Sequence, residues 1–418
     1  EGYIAQYDAA NTRWILIAPI AGMEVTVDSS LTQLQYSGSA WGFVALGDGL
    51  VTDAKVATPV TAADAIATAK LKHVPTGTGA TARLLQSWLL GRAIDVRDYG
   101  YVADDATDNR AAIANAAALG LPLIFPPGIG RVTDTSALSI AVPCFFHPTS
   151  GLRAMTGASV TITAPIYAGY WRVFWGAGTF TMGAGVGHAL PEWFGASAGG
   201  STNGAAINRC ITACRATPTT VYLSQTLAIE LSITVYPDVS IEAAPGVGIN
   251  GGAGAAHGFI FTTGNYIGRK YYLPLLSSIA GRAIWLQGCS LLDVECEGVQ
   301  NVPFGVYAEA SVASSYPNLL DNKVFLHYVA QCNQAAFLML ADNDACVMQG
   351  NEFFANFATG NQRTVYYFAG TASPSWDGNL FDIKAIDPNV AFSNIVEAIA
   401  GAPVTALIFK CETWLGGV

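Results

Sequence analysis

The feature that most constrains the fold is a short unit of turn, helix and buried strand that occurs twice. In the first copy, Tyr99-Gly100 leads into an acidic turn, and Ala111-Ala112-Ile113 gives the apolar face of a helix. Thr107 or Asp108 is the predicted N-cap of that helix. The apolar run at 121–125 predicts a buried strand, because a Pro-Pro-Gly stop follows it directly.

The second copy restates this unit about 95 residues later. Phe194-Gly195 replaces Tyr99-Gly100 at an offset of 95, and Ala205-Ala206-Ile207 replaces the alanine-isoleucine face at an offset of 94. Val221-Tyr222-Leu223 takes the place of the buried strand. Most of the aspartates of the first copy are missing from the second. The unit is therefore architectural, and it predicts that a β domain begins at each copy.

These residues resemble a known motif. The first copy is similar to the opening motif of pectate-lyase-like right-handed β-helix proteins, especially phage tailspikes. The matching positions are Val96, Asp98, Tyr99, Gly100, Asp104, Thr107, Asp108, Ala111, Ala112, Ile113, Phe125, Pro126 and Gly128. Pro191-Glu192-Trp193-Phe194-Gly195 resembles a signature of phage tail proteins. The resemblance implies an all-β, right-handed parallel β-helix with capping helices, assembled as a homotrimer.

A looser repeat in the last third of the chain points to the same architecture. Asp321-Asn322-Lys323-Val324, Gly350-Asn351-Glu352-Phe353 and Gly378-Asn379-Leu380-Phe381 recur at offsets of 29 and 28. Repeats of this length are typical of solenoid rungs. Each asparagine is predicted to sit at a bend, where its amide can bond neighbouring backbone, while Val324, Phe353 and Phe381 stack inward.

Four segments are predicted. Residues 1–46 form a small antiparallel β unit, 47–92 a connector with a helical neck at Leu84, Leu85, Trp88 and Leu89, 93–190 a first β domain, and 191–418 the main β-helix. The N-terminal part resembles a domain of unknown function in tail proteins of phages of alphaproteobacteria. The chain starts inside a pattern and without Met, so a fragment or a processed product is expected.

The amino-acid composition indicates which classes of partner to expect. Of 418 residues, 51% are hydrophobic and 12% charged, an apolar balance that predicts a subunit interface. The net charge is −10 and no basic cluster occurs, which argues against nucleic acid binding. No apolar run approaches the roughly 20 residues of a membrane helix, so no membrane insertion is expected. No His or Cys spacing fits a metal site, and no cofactor motif occurs, so neither is predicted.

Candidate chemistry is sparse. Asp293, Glu295 and Glu297 alternate with apolar residues and so project from one strand face, with neighbouring Cα atoms about 6.6 Å apart. Polysaccharide cleavage needs such paired acids, although alternation more often marks a solvent-facing strand. Trp285 and Trp376 are candidates for stacking on sugar rings, although tryptophan in this context is more often an interface or cap residue.

The function expected from the resemblance is that of a phage tailspike or tail-fibre subunit, located in the virion tail and assembled in the host cytoplasm. It would recognise host-surface polysaccharide and, if active, depolymerise it as a glycoside hydrolase or lyase. The alternative is a non-enzymatic trimeric adaptor or spacer that carries a receptor-binding protein. Expected partners are further copies of the chain, other tail or baseplate proteins and the host polysaccharide.

Overall fold

The structure, a computed structural model, describes residues 4–8, 13–18, 21, 24–27, 32–36, 41–43, 72–73, 83–84, 93–200, 202–215, 219–252, 257–312, 315, 317–341, 345–361, 363–368, 375–387, 394–398 and 407–414. The chain divides into two units, residues 1–93 and 94–418. The predicted segments 1–46, 47–92, 93–190 and 191–418 stay predictions; position 190/191 lies inside the second unit, between β19 and β20 of one sheet.

The described strands of the first unit pair antiparallel, in agreement with the predicted hairpins. They are β1 (Ile4–Asp8), β2 (Arg13–Ile17), β3 (Glu24–Val27), β4 (Thr32–Tyr36), β5 (Trp41–Phe43), β6 (Lys72–His73) and β7 (Arg83–Leu84). Two aromatic pairs lie opposite each other in register: Tyr7 with Trp14 and Tyr36 with Trp41.

The predicted neck helix is wrong at Leu84. Arg83–Leu84 pairs with Lys72–His73 as a strand, and an isolated short helix is marginal in water, so strand pairing provides the backbone hydrogen bonds instead. The predicted helical positions Leu85, Trp88 and Leu89 lie outside the described residues.

The second unit begins with parallel strands and two helices. Its first elements are β8 (Ile94–Asp95), β9 (Asp104–Asp108), α1 (Arg110–Ala117), β10 (Leu123–Phe125), β11 (Gly128–Val132), β12 (Leu138–Ile140), β13 (Cys144–Phe146), β14 (Ser150–Ala154), β15 (Ser159–Ile162), β16 (Ile166–Tyr167), β17 (Phe174–Trp175), β18 (Thr179–Met182), β19 (His188–Ala189) and α2 (Asn203–Cys214). Short 3₁₀ helices at Val96–Tyr99 and Pro191–Phe194 introduce the two copies, and each ends at a left-handed glycine, Gly100 and Gly195.

The remaining strands continue the same winding. They are β20 (Thr220–Leu223), β21 (Leu227–Ile229), β22 (Ile233–Val235), β23 (Ser240–Ala243), β24 (Gly248–Gly251), β25 (His257–Phe261), β26 (Gly264–Asn265), β27 (Lys270–Ser277), β28 (Arg282–Gln287), β29 (Cys289–Ser290), β30 (Asp293–Gln300), β31 (Phe304–Ala310), β32 (Asn318–Leu320), β33 (Lys323–Leu326), β34 (Val329–Ala330), β35 (Ala335–Ala341), β36 (Val347–Gln349), β37 (Glu352–Thr359), β38 (Arg363–Phe368), β39 (Ser375–Asp377), β40 (Asn379–Asp387), β41 (Asn394–Ala398) and β42 (Leu407–Trp414).

Successive rungs pair in parallel register, so the second unit is an all-β parallel solenoid, as predicted. The early rungs form three sheets: β8-β10-β13-β16, β9-β11-β14-β17 and β12-β15-β18, with β19-β20-β23 next along the chain. Three long sheets follow. Sheet A is β21-β24-β27-β30-β33-β37-β40-β42 with β34 beside it, sheet B is β22-β25-β28-β31-β35-β38-β41, and sheet C is β26-β29-β32-β36-β39.

The interior is a column of stacked side chains. Val324 pairs with Phe353, and Phe353 pairs with Phe381, whose rings stack at 5.0 Å. All three are almost completely buried, which confirms the predicted inward stack. Burial of each such side chain stabilises the fold by about 1.5–3 kcal/mol.

The predicted asparagine bends are confirmed. Asn322, Asn351 and Asn379 are fully or almost fully buried. The Asn322 amide donates to Asn351 Oδ1 at 2.8 Å, and the Asn351 amide donates to Asn379 Oδ1 at 2.9 Å. Each amide also donates to a backbone carbonyl of a sheet C strand in the preceding rung, so the three residues form a continuous ladder along one corner.

The predicted helix caps are wrong. Thr107 and Asp108 belong to β9, and α1 begins one residue later than a cap at Asp108 requires. The reason is Asn109, whose buried amide joins the turn by accepting from Val102 N at 2.6 Å and donating to Val102 O at 2.9 Å. Asn203, 94 residues on and the first residue of α2, accepts from Ser197 N at 2.8 Å and donates to Gly200 O at 3.1 Å.

Candidate functional site

Asp293, Glu295 and Glu297 lie on β30, in the middle of sheet A. All three side chains are partly exposed, whereas the intervening Val294 and Cys296 are completely buried. The period of two along a strand thus presents the carboxylates on the outer face. Their assignment as catalytic residues stays a prediction.

Glu295 is held by two basic side chains from neighbouring rungs. Lys270 Nζ lies 2.8 Å from Glu295 Oε2, and His327 Nε2 lies 3.1 Å from Glu295 Oε1. Lys270 is on β27 and His327 follows β33, so the strands on either side of β30 each supply one partner.

The partners of Glu295 set its charge. The hydrogen bond from Lys270 holds the pKa of the Glu295 carboxyl below its ordinary value. Burial opposes it in part, and the hydrogen bond with His327 adds a smaller lowering of the pKa. The same bond raises the pKa of Lys270. Because the folded-state pKa of Glu295 is depressed, the stabilisation is present above its ordinary pKa and is lost only as the pH falls through the folded-state value. Glu295 is therefore ionised at neutral pH.

A groove of about 370 Å³ opens beside these residues. Its lining residues are Ala243, Ala244, Pro245, Tyr272, Leu273, Pro274, Glu295, Glu297 and His327. We call it the acidic groove. Tyr272 is 42% exposed and lies opposite Glu295 in the sheet, with Lys270 Nζ 4.9 Å from the centre of its ring. The groove thus combines an accessible aromatic ring with two carboxylates and an imidazole.

A second groove of about 330 Å³ continues along the same face. Its lining residues are Lys323, Phe325, Phe354, Ala355, Asn356, Asp382 and Lys384. We call it the lysine groove. Phe325 pairs directly with Glu295 across β30 and β33, and its ring meets that of His327 edge to face at 5.0 Å. The two grooves therefore adjoin at β33 and follow the solenoid axis across successive rungs.

The structure does not bring the candidate tryptophans to these grooves. Trp285 is on sheet B, where the Arg282 guanidinium lies 3.8 Å from the centre of the indole ring and the indole N–H donates to Glu309 at 2.9 Å. One face of Trp285 is thus already covered. Trp376 lies on β39 in sheet C, at the register position opposite Met348. The stacking role of both residues stays a prediction.

The charge state of Glu295 limits the role that this residue could take in glycoside hydrolysis. Glycoside hydrolysis requires one protonated carboxylic acid that delivers a proton to the leaving oxygen. Glu295 is held as the anion, so it can serve as a base or a hydrogen-bond acceptor but not as that acid near neutral pH.

Other kinds of site are not found among the described residues. That part of the chain contains no cluster of three or more His, Cys, Asp or Glu side chains able to hold a metal ion. Its seven described cysteines are buried free thiols, and burial raises the pKa of Cys144 to about 12. None of its helices is long and apolar enough to cross a membrane.

Sequence reasoning missed the partners of Glu295. Lys270 and Tyr272 alternate on β27 just as the acids alternate on β30, but only the register between the two strands shows that they are neighbours. His327 belongs to no motif of the sequence, and its exposed ring contacts Glu295 only because β33 lies beside β30. The repeat at Asn322 and Asn351 fixes β33 and β37, whereas β27 lies before the repeat begins.

Comparisons with known proteins give distant likenesses only. No protein-family model and no curated protein matches the chain. Among solved structures, the A-module of the mannuronan C-5 epimerase AlgE6 from Azotobacter vinelandii is 12% identical, covers 78% of this chain and 100% of its own, and has a TM-score of 0.31. A candidate glycosyl hydrolase from Parabacteroides merdae is also 12% identical, covers 77% of this chain and 98% of its own, and has a TM-score of 0.12. Since both TM-scores are low, neither likeness bears on the function.

Proposed function

We propose that the chain is a phage tailspike or tail-fibre subunit that binds host-surface polysaccharide in the acidic groove. The observation that carries the binding role is the exposed Tyr272 ring beside the ionised Glu295 in a groove of about 370 Å³. An aromatic ring offers an apolar face to a sugar, while a fixed carboxylate accepts hydrogen bonds from hydroxyl groups. The virion setting rests on the resemblance of the two copied units to tailspike motifs.

Binding in this groove does not require cleavage. Lys270 and His327 fix Glu295 in one orientation, which suits an acceptor that must meet a hydroxyl group at a set position. Asp293 and Glu297 are the remaining candidates for an acid. Release of oligosaccharide from the host polymer, and its loss in Asp293→Asn or Glu297→Gln, would assign a depolymerase; binding without release leaves a receptor role.

The binding role is tested with host capsule or lipopolysaccharide glycan in an affinity measurement. Tyr272→Ala removes the apolar platform and is expected to weaken binding by about 1–2 kcal/mol, or roughly five- to thirty-fold in Kd. Glu295→Gln removes the anion and leaves its two basic partners unpaired, so binding should also weaken.

Two matched variants keep this test specific. Tyr170→Ala removes a tyrosine that is 70% exposed on an early rung, and Asp98→Asn neutralises an exposed carboxylate near the first 3₁₀ helix. Both should bind as the unaltered protein does. Equal losses of affinity in the groove variants and in these control variants would show that the acidic groove is not the binding site.

We propose a homotrimer as the assembled form. The second candidate function is that of a virion spacer, either together with polysaccharide recognition or in its place. The supporting observation is the apolar balance of the sequence, 51% hydrophobic and 12% charged, which suits a chain that buries surface against further copies of itself. Sedimentation equilibrium should give three times the chain mass, and antibodies to the chain should label the phage tail. A monomer at micromolar concentration, or unlabelled tails, would contradict this.

A further inference from the structure

We infer that the glycan is a polyanion with repeated acid groups, and that its carboxylates bind Lys323 and Lys384 in the lysine groove. This inference rests on the proposed polysaccharide-binding function and specifies its substrate class. It comes from the position and pairing of two lysines that the sequence analysis did not single out.

The lysine groove is lined by two cations, Lys323 and Lys384, and one anion, Asp382. Lys384 is exposed and, among the described residues, forms no ion pair. Lys323 Nζ is 3.8 Å from Glu352, but both side chains are about half exposed, and an exposed pair of that length contributes little. Lys323 Nζ also lies 5.2 Å from the centre of the Phe354 ring. Two ammonium groups thus line the groove, one of them in a weak exposed ion pair.

The separation of the two lysines points to a polymer. Lys323 is on β33 and Lys384 on β40, two strands further and four residues along the register. At about 4.8 Å between strands and about 3.3 Å per residue, their Cα atoms are roughly 16 Å apart. One small anion cannot contact both, whereas a chain of acidic sugars can place one carboxylate at each. Asp382 lies between them and suits a hydroxyl donor.

The floor of the groove has an unused polar group. Asn356 lies beside Lys384 in register, and its Oδ1 is buried without a hydrogen-bond partner among the described residues. A small rotation of the side-chain amide would turn a polar atom towards the groove. Unpaired buried acceptors are costly, so a ligand hydroxyl that reaches this amide would be favoured.

The adjoining acidic groove indicates where the neutral and the acidic portions of the ligand bind. Glu295 and Glu297 repel carboxylates there, so neutral portions of the glycan belong on Tyr272 and acid groups belong on the lysine side. The net charge of −10 does not prevent this, because charges beyond a Debye length of about 8 Å are largely screened at physiological ionic strength.

The test compares polymannuronate and polygalacturonate with their carboxyl-reduced forms, at physiological salt, on the full chain. The acidic polymers should bind and the reduced forms should bind at least about ten-fold more weakly, the loss of a charge-assisted hydrogen bond. Lys384→Gln should weaken binding of the acidic polymers by about ten-fold and Lys323→Gln by a few-fold. Arg97→Gln, which removes an exposed cation in the first 3₁₀ helix, outside sheet A, should change binding less than two-fold.

The possible results test the polyanion inference separately from the proposed polysaccharide-binding function. If acidic and reduced polymers bind equally, or if only the host's neutral glycan binds, polysaccharide binding stands and the polyanion inference is overturned. If Arg97→Gln weakens binding as much as Lys384→Gln, the attraction is diffuse and the two-lysine site is wrong. If neither these polymers nor the host capsule or lipopolysaccharide glycan binds, the proposed function and this inference both fail.

Discussion

At the residue scale, the asparagine ladder shows how one side chain can specify a corner of the solenoid. Asn351 donates to Leu319 O at 2.9 Å and to Asn379 Oδ1 at 2.9 Å, while its own Oδ1 accepts from the backbone and amide of Asn322. The residue before each asparagine has a positive φ, including the non-glycine Asp321 at 52°. The ladder thus satisfies backbone groups at bends where no strand pairing is available.

Replacing Asn351 tests the energetic weight of the ladder. Asn351→Ala leaves a carbonyl and two amide groups buried without partners, so the free energy of unfolding should fall by about 3 kcal/mol. The matched control is Asn318→Ala on the exposed side of β32, which should change it by less than about 0.5 kcal/mol. Denaturant titration measures both. Similar small effects would mean that water or relaxed neighbours replace the ladder.

At the element scale, helix α2 begins with a cap that comes from far along the chain. Glu230, which follows β21, accepts from the backbone N–H groups of Gly204 and Ala205 at 2.8 and 2.9 Å. The helix lies so close to this connection that a Cβ on Gly204 would meet Leu231 O at 2.6 Å. The carboxylate also faces the positive end of the helix dipole.

Removal of this carboxylate should loosen α2. Glu230→Ala is expected to lower the free energy of unfolding by about 1–2 kcal/mol, the usual effect of losing an N-cap. Glu230→Gln should lose less, since one oxygen remains to accept. Thermal unfolding provides the measurement, with Glu242→Ala, an exposed acid on β23, as the control. A loss no larger than that of the control would show that Glu230 does not stabilise the helix.

The two helices, the repeated rungs and the candidate site show how much of the fold can be predicted from the sequence. The two helices, their copies and the rungs at Asn322 and Asn351 can be read from local patterns, because each signal lies within a few residues. The residues that cap the two helices cannot be predicted from local patterns, because Asn109 and Glu230 bond to partners in other rungs. The candidate site is intermediate: alternation places Glu295 on the outer face, but Lys270 and His327 meet it only through the register of three strands.

At the scale of the whole molecule, the second unit is a stack in which each rung contacts mainly its neighbours. Phe125 stacks on Phe146 at 4.5 Å among the early rungs, and Phe353 stacks on Phe381 at 5.0 Å far along the chain. One core cluster nevertheless extends through both regions. In such an architecture the free energy of unfolding is close to the sum of the intrinsic stability of each rung and the interaction energy between neighbouring rungs. A core defect should therefore be felt most near its own rung.

Phe353→Ala and Phe146→Ala form a matched pair for this expectation. Each removes a nearly fully buried ring and should cost about 3–5 kcal/mol locally. By hydrogen exchange with mass spectrometry, Phe353→Ala should reduce amide protection in β33, β37 and β40 and spare β10 and β13, while Phe146→Ala should do the reverse. Nearest-neighbour coupling predicts that the effect falls off along the axis. Equal loss of protection in both regions from either variant would show that the solenoid unfolds as one cooperative unit.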